Sequence, residues 1–373
     1  MDFPKLRSYM ETVCAKYGVP AWDLSVMQDH TEVFRMMDGF SDPEGISPVS
    51  RKDLYWIYSA SKPITCAAAM RLVESGKISL EDNVAKYLPS YGNITVKTEN
   101  SERPARRPMK IRHLFSMASG LEYSLDTPKL KAMKAAGCRD TVAYMDALAE
   151  KPLLFDPGDG FNYSFSHDVL GAVIEVVSGM SFGTYLNKNV FEPLGMKDTC
   201  FRLSKEKLSH LSWLYSASSG SVVPSNDKPS ERWPYESGGG GLCSSVDDYR
   251  LFADAMAHKG LGWNGYRLLR PESVDLMRTN TLSYNQNVMF HKQLNQRNKI
   301  GYGYGLGVKT LVDPIASPGP LGEFGWDGAA GAYVSCDPDN RLSVFYAQHI
   351  LSFPIVYDEI MVRIRDLIYE EIL

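Results

Sequence analysis

The sequence has no clustered cysteines, no basic surplus and no long apolar run, and each absence removes a class of protein. Cys14, Cys66, Cys138, Cys200, Cys243 and Cys336 stand singly without Cys-x-x-Cys spacing, which argues against zinc and against a disulfide framework and predicts buried thiols in a reducing cytoplasm. A net charge of -4, from 40 basic and 44 acidic residues, offers no electrostatic ground for binding nucleic acid or an anionic membrane. No run reaches the ~18 apolar residues of a membrane span. The opening Met1-Asp2-Phe3-Pro4-Lys5-Leu6 carries charge where an exporting leader would be apolar, so a cytoplasmic chain is expected. The seven histidines form no His-x-x-x-His pair, so neither a metal nor another cofactor is expected. A partner of small-molecule size remains. At 373 residues the chain exceeds what one compact core usually holds, which predicts two lobes with a cleft between them.

What is present is chemistry at one point. Ser59-Ala60-Ser61-Lys62 follows the aromatic run Leu54-Tyr55-Trp56-Ile57-Tyr58 and precedes the apolar stretch Ile64-Thr65-Cys66-Ala67-Ala68-Ala69-Met70, which reads as a buried helix. Ser59 is therefore expected at a helix N-terminus, where unpaired N–H groups and the positive dipole end favour developing negative charge. Lys62 falls on the same helix face and can take the serine proton. An N-cap serine would be the ordinary reading of an isolated serine there. Ser-x-x-Lys recurs at Ser204/Lys207 and Ser225/Lys228, but in polar stretches without an apolar helix behind them, which read as surface.

Strand-like pieces at 22–27 and 33–37 follow an amphipathic N-terminal helix carrying Leu6, Met10 and Val13. Between 84 and 232 helical stretches dominate, at 111–117, 130–136, 142–150, 168–178 and 182–191. Beyond Ser237-Gly238-Gly239-Gly240-Gly241 come a helix at 245–257, a strand at 301–308, a hairpin of 330–336 with 342–348, and a helical tail at 355–373. This predicts an α/β unit of 1–83 and 233–373 with a mainly helical unit, 84–232, inserted.

Several blocks then resemble one superfamily. Ser59-Ala60-Ser61-Lys62, Glu74-Ser75-Gly76-Lys77-Ile78-Ser79-Leu80-Glu81-Asp82, Ile111-Arg112-His113-Leu114 and Phe155-Asp156-Pro157-Gly158 leading to Tyr163-Ser164 run in the order of the serine β-lactamases and penicillin-binding proteins, class C type. Phe191-Glu192-Pro193-Leu194-Gly195-Met196 and the glycine run at Gly238 continue that order. The resemblance implies a β-lactamase-like α/β fold, an antiparallel sheet flanked by N- and C-terminal helices, with the site in the cleft. It also implies that Tyr163 fills the place of the Tyr-x-Asn tyrosine, although Phe165 stands where asparagine is usual. Trp326-Asp327-Gly328 takes the place of Lys-Thr-Gly, a departure similar to the family VIII carboxylesterases and related acyltransferases.

Tyr91-Gly92-Asn93 and Tyr185-Leu186-Asn187 match Tyr-x-Asn literally, yet the first follows a turn and the second lies in a helix. Tyr163 sits on a loop between a Pro-Gly turn and a helix. Gly179-Met180-Ser181-Phe182-Gly183 imitates a nucleophile elbow, which needs a strand where helical spacing is found. His113 reads as a local cap and His167 as a neighbour able to tune Tyr163. The expected chemistry is attack by Ser59 on an ester carbonyl, with Lys62 and Tyr163 moving protons. By resemblance, the N–H groups of Ser59 and Ala329 hold the oxyanion. Trp326, Asp327 and Gly328 are the expected substrate-binding residues, and an exposed Asp327 charge would repel a substrate carboxylate and favour a neutral ester. Amide or D-peptide hydrolysis, β-lactam hydrolysis, acyl transfer to a small acceptor and ligand binding without turnover stay open as alternatives.

Overall fold

The computed structural model describes residues 2–226 and 233–372. Two short helices, α1 (Pro4–Met10) and α2 (Val13–Tyr17), replace the single N-terminal helix expected. The Thr12 hydroxyl donates to the Tyr9 carbonyl at 2.7 Å, a local bond that competes with helix propagation. Strands β1 (Ala21–Gln28) and β2 (Thr31–Gly39) form a hairpin whose turn residues Asp29 and His30 both take positive φ, the geometry of a tight two-residue connection. A short strand β3 (Leu54–Trp56) then leads into helix α3 (Ser61–Glu74). Next come α4 (Ile111–Phe115), α5 (Pro128–Ala135), α6 (Thr141–Leu148), α7 (Ser166–Ser178) and α8 (Phe182–Leu186). They are followed by β4 (Cys243–Ser245) and α9 (Val246–Ala257), which Ser245 caps by accepting from the Asp248 N–H.

Of the expected strand at 301–308 only β5 (Tyr302–Tyr304) forms, and β6 (Lys309–Leu311), beyond it, pairs back antiparallel. The chain reverses because Gly307 adopts φ +92° and lies so close to α3 that a Cβ there would sit 2.2 Å from the Cys66 sulfur. Strands β7 (Phe324–Asp327), β8 (Tyr333–Asp337) and β9 (Leu342–Gln348) complete a seven-stranded sheet in the order β2-β1-β9-β8-β7-β6-β5, every neighbouring pair antiparallel. Helix α10 (Met361–Ile372) closes the fold.

Side-chain alternation assigns the two sheet faces. Trp22, Leu24 and Val26 of β1, with Leu342, Val344 and Tyr346 of β9, pack against Leu6 and Met10 of α1 and Ile364, Leu367 and Ile368 of α10. Phe345 and Ala347 point the other way, into the larger core with α9, α3 and the helices between 111 and 191. Helix α3 is buried from Ser61 to Met70, as an alanine-rich helix clasped on all sides must be. The six cysteines are free, but only Cys66, Cys243 and Cys336 are buried; Cys14, Cys138 and Cys200 are half-exposed, against the expectation that all are enclosed. Among the described residues no single helix is long and apolar enough to cross a membrane.

Candidate active site

Ser59 lies on a one-turn 3-10 lead-in, Tyr58–Ala60, immediately before α3 rather than on the helix itself. The preceding Tyr58 is held at φ +45°, a left-handed conformation unusual for a bulky residue, and the turn leaves Ser59 half-exposed among buried neighbours. Pairing of β3 with β4, Trp56 opposite Cys243, brings this turn beside the glycine run. Gly328 brings the end of β7 against it from another direction: a Cβ at 328 would lie 2.1 Å from the Ile57 carbonyl oxygen.

The Lys62 amino group is fully buried and donates to Ser59 Oγ at 3.1 Å and to the Gly239 carbonyl at 2.5 Å. Its Nζ also sits 4.5 Å from the centre of the Tyr163 ring. Tyr163 reaches the same place from the loop before α7. Its N–H donates to Gln293 at 2.8 Å, and Gln293 in turn donates to Asn162 at 2.9 Å, so the loop is pinned by a neighbouring helix. Burial raises the pKa of the Tyr163 phenol, while hydrogen bonds with Ser59 and with the Trp326 indole oppose that rise. The indole N–H donates to the phenol oxygen at 3.3 Å, and the two rings stack at 5.7 Å. A serine hydroxyl, a lysine amine and a phenol thus meet around one oxygen, with Trp326 behind the phenol. Ala329, itself exposed, follows in the turn closed by the Gly331 N–H to Gly328 carbonyl bond of 2.9 Å.

Asp327 departs from expectation. Its carboxylate accepts from buried Lys299 at 2.8 and 3.0 Å and from Asn298 at 3.2 Å, so its charge is neutralised instead of being offered to a substrate. Lys299, which also stands 5.4 Å from the Trp326 ring centre, carries no sequence motif that could have flagged it. Nor does Tyr123, which stacks on Tyr163 at 5.7 Å and on Phe165 at 4.5 Å. Phe165, in the usual asparagine position, therefore supplies an aromatic wall.

The decoys fall elsewhere. Tyr91 and Tyr185 donate to the carbonyls of Met145 and Ala68. Ser181 and Ser204 cap short helices, and Lys228 lies outside the described residues. His113 accepts from the Lys110 N–H at 3.1 Å, as a local cap does. His167 bonds the Phe115 carbonyl at 3.1 Å, and burial, then the Lys62 charge, pushes its pKa down to about 3. Away from the site, His30, Asp254 and His258 gather at the β1–β2 turn with potential ligand atoms within 4.8 Å of one another, a convergence that linear spacing could not reveal.

Comparison with known proteins adds lineage. The family model described as Beta-lactamase matches residues 6–354. An uncharacterized protein of Mycobacterium tuberculosis is 32% identical over 328 residues, covering 83% of this chain and 80% of its own. Esterase EstB of Burkholderia gladioli is 25% identical, covering 93% and 90%. The structure of EstCE1, titled a hydrolase with promiscuous acyltransferase activity, superposes with a TM-score of 0.81 at 24% identity, covering 98% of each chain.

Proposed function

Because the chain belongs to the beta-lactamase family, we propose that Ser59 is the nucleophile of a serine hydrolase acting on small carboxylic esters through an acyl-enzyme. The observation that carries this reading is the convergence on Ser59 Oγ of the Lys62 amine, 3.1 Å away, and the Tyr163 phenol. Lys62 and Tyr163 take the serine proton, Tyr163 returns a proton to the leaving alkoxide, and the same pair then activates water to release the acid. The N–H groups of Ser59 and Ala329 cradle the oxyanion. Trp326 and Gly328 shape the acyl side of the cleft between the α/β and helical units, and Asp327 acts on Trp326 through Lys299. Lineage shared with esterase EstB supports the ester class. No metal or organic group enters any of these steps. Six free thiols suit a reducing cytoplasm.

Transfer of the acyl group to a small alcohol in place of water is the second reading, favoured by the fold shared with EstCE1. Ser59→Ala is expected to abolish hydrolysis of a short-chain p-nitrophenyl ester; retained turnover would overturn the proposal. Comparing a butyrate ester, nitrocefin and a D-alanyl peptide separates ester from amide chemistry, and product analysis with an added alcohol separates hydrolysis from transfer.

A further inference from the structure

Asp168 lies in the first turn of α7, five residues after Tyr163, and is fully buried. One carboxylate oxygen accepts from the Ser237 hydroxyl at 2.5 Å and from the Tyr235 phenol at 3.2 Å. The other faces the glycine run so closely that a Cβ at Gly239 would sit 2.3 Å from it, while a Cβ at Gly238 would sit 2.5 Å from the His167 carbonyl. The run is therefore glycine because α7 presses on it at these two points. Its opposite side meets α3: the Gly238 carbonyl accepts from Thr65 at 2.7 Å and the Gly239 carbonyl accepts from Lys62 at 2.5 Å. Burial raises the Asp168 pKa, and the Ser237 bond and the charge on Lys62 pull it back.

We propose that Asp168 is a positioning residue for the Ser59 site: it fixes the 237–239 backbone so that the Gly239 carbonyl orients Lys62 toward Ser59. This rests on the reading of Ser59 and Lys62 given above. Orientation of a proton-transfer group through such hydrogen bonds acts on the chemical step and leaves substrate binding largely alone.

Asp168→Asn keeps an oxygen for Ser237 and Tyr235 and turns an amide NH2 toward the glycine run in place of the second carboxylate oxygen. For p-nitrophenyl butyrate it is expected to lower kcat at least tenfold with KM within threefold of wild type, and to slow fluorophosphonate labelling of Ser59 in the same proportion. Ser237→Ala, a smaller change that loosens the same anchor, is expected to lower kcat at least threefold, and it decides the matter if Asp168→Asn does not melt cooperatively. A folded Asp168→Asn variant with kcat and labelling within twofold of wild type, or a loss confined to KM, would overturn the inference. Wild-type protein that is not labelled at Ser59 would instead sink the functional reading beneath it, so the two failures are distinguishable.

Discussion

Gly328→Ala is a one-methyl change whose consequence can be worked from distances. The added Cβ would stand 2.1 Å from the Ile57 carbonyl oxygen and 3.1 Å from its carbon, whereas real Cβ contacts essentially never fall below 3.0 Å. Something must therefore move by about 1 Å, and neither side is soft. Ile57 is tied to Leu242 by an N–H to carbonyl bond of 3.1 Å; Gly328 donates to Ala332 at 2.7 Å and accepts from Tyr357 at 2.9 Å. Ile57 lies two residues before Ser59, so the displacement passes into the nucleophile turn. Overpacking of this kind costs about 1–3 kcal/mol of stability, and a misplacement near 1 Å costs about 100-fold in rate. Steady-state hydrolysis of a short-chain p-nitrophenyl ester, with thermal melting to verify folding, reads both. A folded variant with kcat within threefold of wild type would refute the claim that close approach at Gly328 sets the position of Ser59.

Tyr163→Phe removes the phenolic proton carrier and leaves the stack on Trp326, so kcat should fall by about 10²–10⁴ with little change in melting temperature; an equal rate would show that Lys62 needs no phenol. Lys299→Met strands the Asp327 carboxylate in the interior, and chemical denaturation should show a loss of roughly 3–5 kcal/mol, partly restored by adding Asp327→Asn; an unchanged midpoint would mean the pair contributes nothing. His349 must be neutral to accept from the Trp56 N–H at 3.2 Å while donating to the Ser212 carbonyl at 3.0 Å, and burial pushes its pKa down to about 4. Its folded pKa lies below the unfolded value of 6.5, so the stability it contributes is fully present above pH 6.5 and is lost as pH falls toward 4. Melting temperature should decline through that window, and His349→Gln should flatten the decline; a parallel curve in the variant would contradict the assignment.

The meeting of Ser59 with Lys62 was legible because its signal is local, a serine and a lysine one turn apart at the head of an apolar helix, whereas Tyr163 was singled out by the family resemblance and only then supported by its loop between a Pro-Gly turn and a helix. Strands β1 and β9 were legible for the same local reason, since short strand-like runs beside turn residues need no knowledge of neighbours. What escaped depends on contacts distant in sequence. The reversal at Gly307 exists because α3 presses on it. Asp327 reads as a strand-end charge until Lys299, 28 residues earlier, folds beneath it. Asp168 looks like an ordinary acidic residue in a helix first turn, and only the glycine run packed on it gives it a task. Phe165, in the usual asparagine place, gains its meaning from Tyr123.

Intact-mass analysis with peptide mapping after exposure to a panel of activated esters tests the central claim most directly. One acyl group should be trapped per chain, on the peptide containing Ser59, with no adduct in Ser59→Ala. Hydrolysis that proceeds with no covalent intermediate, or an adduct that survives Ser59→Ala, would contradict it.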